Sequence, residues 1–185
     1  MLDKINTYLT KVQDCINKLD KNEIENLIKI LIEKRNEDKQ IFIMGNGGSA
    51  STASHFYCDF NKGLSYKKEK KFKFICLNDN IPAILAYAND ISYDDIFVEQ
   101  LKNLLNKDDL VIAISGSGNS KNVLKAVEYA NTNNATTLAF TGYNGGKLKQ
   151  IAHHSVNSNI DNMQISEDIH LILFHLAYSV IEKII

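Results

Sequence analysis

Residues 109–120, Asp109-Leu110-Val111-Ile112-Ala113-Ile114-Ser115-Gly116-Ser117-Gly118-Asn119-Ser120, decide how the chain folds. The first half is apolar over one strand length, the pattern of a strand buried on both faces at the centre of a parallel sheet. The second half turns to glycine and hydroxyl residues and opens a helix over Asn122 to Asn131. Glycines admit close backbone approach, and a helix N-terminus presents unpaired amides and the positive end of its dipole to an anion. A tight turn with an N-cap needs one Ser or Asn; three serines and two glycines favour a phosphate monoester site.

The same grammar appears upstream. Gln40 to Met44 is a short β-prone run that ends at Gly45-Asn46-Gly47-Gly48-Ser49, followed by a helix from about Ala50 to Lys62. Downstream, Thr136 to Phe140 closes at Thr141-Gly142, Leu148 to Ala152 makes a helical turn, and Ser155 to Ile160 is a fifth strand. Phe72 to Leu77 supplies the remaining strand. Ile81 to Ala88 (with Pro82 in its first turn), Tyr93 to Leu105 and Met163 to Ile184 supply further helices. Strands alternating with helices through short turns predict an α/β fold, a parallel sheet of five strands flanked by helices on both faces. Ligands in such sheets bind beyond the carboxyl ends of the strands, where both glycine-rich loops fall.

Before the first strand, Leu2, Ile5, Leu9, Val12, Ile16 and Leu19 recur at helical spacing, and Ile24, Leu27, Ile28, Ile30, Leu31 and Ile32 form a second such pattern. Residues 1–185 read as a single domain with an N-terminal helical extension over residues 1–38. So small a domain has no room to bury both apolar faces; an oligomer contact is the expected outlet, capping of the core edge the alternative.

Composition narrows the function. Lys+Arg total 21 against Asp+Glu 22, a balance unlike that of a dedicated nucleic-acid binder. Arg35 is the only arginine, so a bound phosphate must rely on backbone amides, hydroxyls or lysine rather than a guanidinium clamp. No Gly-Lys-Ser/Thr phosphate loop and no G-x-G-x-x-G occur. Cys15, Cys58 and Cys76 are widely spaced and read as reduced thiols. Neither a signal peptide nor a span long enough for a bilayer is visible, so a cytoplasmic protein with no membrane or nucleic-acid partner is expected. The Lys67–Lys73 cluster reads as a solvated loop.

Titratable groups gather in two places. His55 and Asp59 lie four apart on one helix face, a spacing that suits a metal site, an acid/base pair or a plain surface hydrogen bond. The last helix carries Glu167, Asp168, His170 and His175 among Ile169, Leu171, Ile172, Leu173 and Phe174. A histidine in such a setting is more often core than ligand, but four ionisable groups shift those odds. Glu167 and His175 are eight apart, roughly 12 Å of helical rise, so both reach one ion only with long side chains or from two subunits.

Gly45-Asn46-Gly47-Gly48-Ser49-Ala50, His55-Phe56, Ala88-Asn89-Asp90, Ser115–Ser120 and Glu167-Asp168-Ile169-His170 through His175, in that order, resemble the sugar isomerase (SIS) domain family, specifically the phosphoheptose isomerases. The resemblance runs from about residue 1 to 185. It implies a flavodoxin-like three-layer sandwich, a homotetramer with active sites at subunit interfaces, and conversion of D-sedoheptulose 7-phosphate to D-glycero-D-manno-heptose 7-phosphate for bacterial lipopolysaccharide or capsule. It implies zinc on His55, Asp59, Glu167 and His175. Substrate contacts fall on Asn46, Gly47, Gly48, Ser49, Asp59, Asn89, Asp90, Ser115, Gly116, Ser117, Ser120 and Glu167. Asp59, Glu167 and His175 take the catalytic positions. The chain departs from the family twice, with Asp59 for the usual glutamate and Glu167 for the usual glutamine; Gln164 lies one turn earlier.

An enediol mechanism is then expected. Asp59 or Glu167 takes the C1 proton, His175 moves a proton between O1 and O2, and zinc acts as Lewis acid. The rivals are a non-catalytic SIS-domain sensor or scaffold and an isomerase of another phosphosugar.

Overall fold

The computed structural model describes residues 1–185. Five strands, β1 (Gln40–Gly45), β2 (Lys73–Cys76), β3 (Leu110–Ser115), β4 (Thr136–Thr141) and β5 (His154–Asn157), form one sheet in the order β2-β1-β3-β4-β5. Every neighbouring pair is parallel, with Ile43 opposite Ile112 and Ile114 opposite Phe140. Strand order reverses between β1 and β3, which opens the crevice where doubly wound sheets bind ligands.

Alternation along each strand builds two cores. Ile41 and Ile43 of β1, Ile112 and Ile114 of β3, and Leu138 and Phe140 of β4 face one side. There they meet α2 (Lys21–Asn36), α3 (Gly48–Cys58) and α8 (Met163–Ile181). Phe42, Met44, Val111, Ala113 and Ala139 face the other side, against α5 (Val98–Leu104), α6 (Lys121–Thr132) and α7 (Gly146–Ile151). All six residues of β3 are buried, as its apolar run predicts.

Several boundaries differ from the sequence reading. The helix expected to run to Lys62 ends at Cys58 and passes into a π-helix, Asp59–Leu64. The segment expected as one helix over Tyr93–Leu105 breaks into a 3₁₀ turn, Tyr93–Asp95, and α5, because the Ser92 side chain accepts from Asp94 N and caps the turn on its own. α4 (Ile81–Asp90) extends two residues further than expected and takes Asn89 and Asp90 into its last turn. β5 stops at Asn157, three residues short.

The two N-terminal helices differ in how much apolar surface they bury. α2 buries Ile24, Leu27, Ile28, Ile30 and Leu31 in the core. α1 (Leu2–Lys18) buries only Cys15 and leaves Leu2, Ile5, Leu9 and Ile16 exposed. It is tied to α8 by the Tyr8 hydroxyl, which donates to Asp168 Oδ2 at 2.5 Å. The Lys67–Lys73 loop spends Lys68 on the Ile185 carbonyl, Lys70 on the Asn36 carbonyl and Lys73 on Asp38. No helix is long and apolar enough to cross a membrane.

Candidate active site

The carboxyl ends of β1 and β3 open on one cavity of about 280 Å³. Asn46, Gly47, Gly48 and Ser49 line one wall, Ser115, Gly116, Ser117 and Ser120 the other, and Met163 and Glu167 of α8 close the side. The N–H groups of Gly47, Gly48, Gly116 and Ser117 find no acceptor within the chain. Ser115 and Ser120 place their hydroxyls 3.2 Å apart. Unpaired amides and hydroxyls converging at two helix N-termini make a site for oxyanions and hydroxyls, built without any cationic side chain.

Close packing shapes this mouth. A Cβ on Gly45 would meet Ser49 Cβ at 2.6 Å and its backbone at 2.8 Å, so only glycine lets the loop fold back this tightly. Gly47 has φ +54°, where a side chain would be strained. A Cβ on Gly48 would stand 2.6 Å from Glu167 Cδ, which presses the Glu167 carboxylate into the cavity wall. Beyond Met163, a wider polar cavity of about 590 Å³ is lined by Ser117, Asn119, Tyr143, Asn144, Asn159 and Asp161.

His55, Asp59 and His175 meet further along α3 and α8. Asp59 Oδ2 lies 3.1 Å from His55 Nε2 and 3.7 Å from His175 Nε2, and the two imidazole nitrogens are 3.1 Å apart. The cause is in the core: Phe56 stacks on Phe174 at 3.6 Å between ring centroids, and Phe174 on Phe140 at 4.2 Å. Phe56 and Phe174 are each the chain neighbour of a histidine, so packing the two rings together brings His55 and His175 together outside. Both histidines are about half exposed, with 48% and 50% of their side-chain surface open. Two imidazole nitrogens and a carboxylate, their ligand atoms all within 4.8 Å of one another, could hold a metal ion.

Of the four positions assigned to zinc by resemblance, the chain brings three together. Glu167 joins the cavity instead, and its distance from His175 follows from their eight-residue spacing on a regular helix. Asn89 and Asp90 are exposed and bonded to each other, Asn89 Nδ2 donating to Asp90 Oδ1 at 2.8 Å, and line neither the cavity nor the cluster. His170 is fully buried, with neither ring nitrogen hydrogen-bonded, and burial pushes its pKa down to about 4. It is a neutral core residue. Burial likewise pushes the Cys76 thiol up to about 11, and no disulfide forms.

Two residues that support the first loop were missed in the sequence. Asn78 clamps Gly45, accepting from its N–H at 3.1 Å and donating to its carbonyl at 2.8 Å. Asn122 pairs with Asn46 through two amide hydrogen bonds of 2.9 Å. Asparagine in a turn or a first helical turn carries no mark of a distant partner.

The SIS domain family description matches residues 6–142. The chain is 39% identical over 157 residues to a phosphoheptose isomerase of Helicobacter pylori, covering 84% of this chain and 81% of that protein. It is 38% identical over 144 residues to a probable phosphoheptose isomerase of Thermoplasma acidophilum, covering 78% and 79%. The solved structure of a phosphoheptose isomerase from Francisella tularensis superposes with a TM-score of 0.90 at 26% identity over 98% of both chains.

Proposed function

The chain belongs to the SIS domain family and, within it, to the phosphoheptose isomerases, and on that premise we propose how its own residues carry out the isomerisation. The activity is that of an aldose–ketose isomerase on D-sedoheptulose 7-phosphate, giving D-glycero-D-manno-heptose 7-phosphate.

The observation that carries the mechanism is the placement of cavity and cluster on one pair of helices. Gly48 faces Glu167 at one level, and His55 faces His175 further along, so α3 and α8 run side by side in the same direction. Seven residues separate Gly48 from His55, roughly 10 Å of rise. That is about the reach of an extended seven-carbon sugar phosphate. The 7-phosphate takes the free amides and hydroxyls of Gly116, Ser117, Ser115 and Ser120. Gly47 and Gly48 amides and the Glu167 carboxylate hold hydroxyls along the chain, and C1 and C2 reach the cluster. Asp59 commits Oδ2 to the imidazoles and leaves Oδ1 without a partner, placed to take the C1 proton and return it to C2 through an enediol. His175 moves the proton between O1 and O2, as neutral imidazole both gives and accepts one. Binding energy from the phosphate end orients the reacting end.

The donor set of His55, Asp59 and His175 fits zinc, while Glu167, lining the cavity, is left out of that set and serves substrate hydroxyls. Zinc bound there would supply Lewis-acid polarisation of the ketose carbonyl. Asn89 and Asp90 reach substrate, in this proposal, from a neighbouring subunit. A homotetramer also gives the exposed Leu2, Ile5, Leu9 and Ile16 of α1 a cover and encloses the half-exposed cluster. We place the enzyme in the bacterial cytoplasm, at the first step toward the heptose of lipopolysaccharide or capsule.

The test is direct. Sedoheptulose 7-phosphate is incubated with zinc-loaded protein in deuterium oxide, and aldose formation and C–H exchange are followed by NMR, with and without chelator. Aldose formation lost on chelation is expected. Retained turnover after Asp59→Ala, Glu167→Ala and His175→Ala, each made singly, would remove the acid/base assignment. Binding of the sugar phosphate with neither exchange nor product would make the protein a sensor.

A further inference from the structure

Asn46 sits in the loop that meets the substrate, yet both amide atoms of its side chain already have partners within the protein. Its Nδ2 donates to Asn122 Oδ1 at 2.9 Å, and its Oδ1 accepts from Asn122 Nδ2 at 2.9 Å. The same Oδ1 accepts from the Tyr93 hydroxyl at 3.0 Å. Asn122 is 2% exposed, and its Oδ1 also takes the N–H of Val123 in the first turn of α6. Two amides paired head to tail, with one member buried and anchored to a helix, fix both the position and the rotation of the other. On the far side of the loop Asn78 holds both backbone groups of Gly45. Directly after these two anchors the N–H groups of Gly47 and Gly48 remain unpaired, at the cavity wall.

We propose that Asn122, with Tyr93, is a positioning residue of the isomerase: it fixes the Asn46 side chain, and with it the loop, so that the Gly47 and Gly48 amides face substrate. The inference rests on the isomerase reading and gives Asn46 a role different from that of a side-chain ligand. Asn122 belongs to the helix that opens after β3, and Asn46 to the loop after β1. The pair therefore couples the two walls of the cavity, and the phosphate-facing loop and the hydroxyl-facing loop move as one body. Tyr93 adds a third strut from the 3₁₀ turn after α4.

A double-mutant cycle tests this. Asn46→Ala, Asn122→Ala and the double variant are compared with wild type in KM and kcat for sedoheptulose 7-phosphate. Each single change is expected to raise KM about tenfold at nearly constant kcat, and the double variant to match the singles rather than multiply them. Tyr93→Phe is expected to raise KM about threefold, since two of the three bonds remain. Asn122→Ser serves if the alanine variant does not fold: it brings no charge into this buried position but is too short to pair with Asn46, and its KM is expected to match that of Asn122→Ala. A large KM effect of Asn46→Ala with none from Asn122→Ala, or a multiplicative double variant, would overturn the proposal and return Asn46 to direct contact. The Gly47 and Gly48 N–H resonances of ¹⁵N-labelled protein decide the same question without turnover. They shift alike in Asn46→Ala and Asn122→Ala if the pair sets the loop, and staying in place in Asn122→Ala would refute it. If the resonances behave as expected but the sugar is not turned over by wild type, the isomerase reading fails and the positioning role stands.

Discussion

The glycine-serine mouth and the His55–Asp59–His175 cluster lie along the same pair of helices but are built in opposite ways. The mouth is made of backbone: amides of Gly47, Gly48, Gly116 and Ser117, aimed by strand ends and locked by asparagines. The cluster is made of side chains on helix surfaces, half open to solvent, and its geometry is inherited from Phe56 stacking on Phe174 beneath it. Backbone sites tolerate no change in loop conformation but survive exchange of side chains that only line them. Side-chain sites are the reverse. The mouth is therefore suited to binding and the cluster to chemistry, and the two are separable by experiment.

The sharpest separation comes from Asp59→Ala, expected to lower kcat on the order of 10³-fold with KM within a few-fold of wild type, the mark of a group that acts in the transition state. Steady-state kinetics with deuterium exchange at C1 checks it, and a KM-only effect would erase the division. Phe174→Ala comes next. Loss of this fully buried ring is expected to cost about 3–5 kcal/mol of unfolding free energy in urea, and to weaken the binding of added zinc in the fraction still folded. Destabilisation with zinc affinity unchanged would show that the cluster does not depend on the ring stack. Gly45→Ala is the counterpart in the mouth. Its Cβ would press on Ser49 backbone, at an expected cost of about 1–3 kcal/mol and a KM raised well beyond any change in kcat.

The smallest effect at neutral pH, and a control on the others, is His170, which lies on α8 between Glu167 and His175. Its folded pKa, about 4, is below the ordinary 6.5, so the unfolded chain binds the extra proton first. Its contribution to stability is complete above pH 6.5 and is lost as pH falls from there toward 4, by about 3 kcal/mol at the low end. Replacing it in His170→Leu is expected to flatten urea midpoints across that window. An unchanged slope would show that the buried imidazole does not carry the acid sensitivity.

The two regions were unequally legible in the sequence. The mouth is local: strand, glycines, hydroxyls and helix follow one another within about twelve residues, and periodicity places them. Its supports are not, because Asn78 and Asn122 lie 33 and 76 residues from the groups they hold. His55 and Asp59 were legible as an i,i+4 pair, but the arrival of His175 depends on a core contact between helices far apart in the chain. The π-helix was hidden because Asp59-Phe60-Asn61-Lys62-Gly63-Leu64 continues the apolar spacing of an ordinary helix. The helix expected over Ile81 to Ala88 stops short of Asn89 and Asp90 in the sequence reading, whereas α4 continues through them.

The parallel course of α3 and α8 makes the interval between mouth and cluster a ruler with coarse graduations. A helix changes length only by whole residues, each adding about 1.5 Å and turning the remainder of the helix by about 100°. One residue inserted between Gly48 and His55 would lengthen the span slightly yet swing the imidazole off the face it shares with His175. Only a matched insertion of three or four residues in both helices comes close to restoring the register, so the span of this site cannot drift by small steps, and a substrate one carbon shorter meets the same fixed mark.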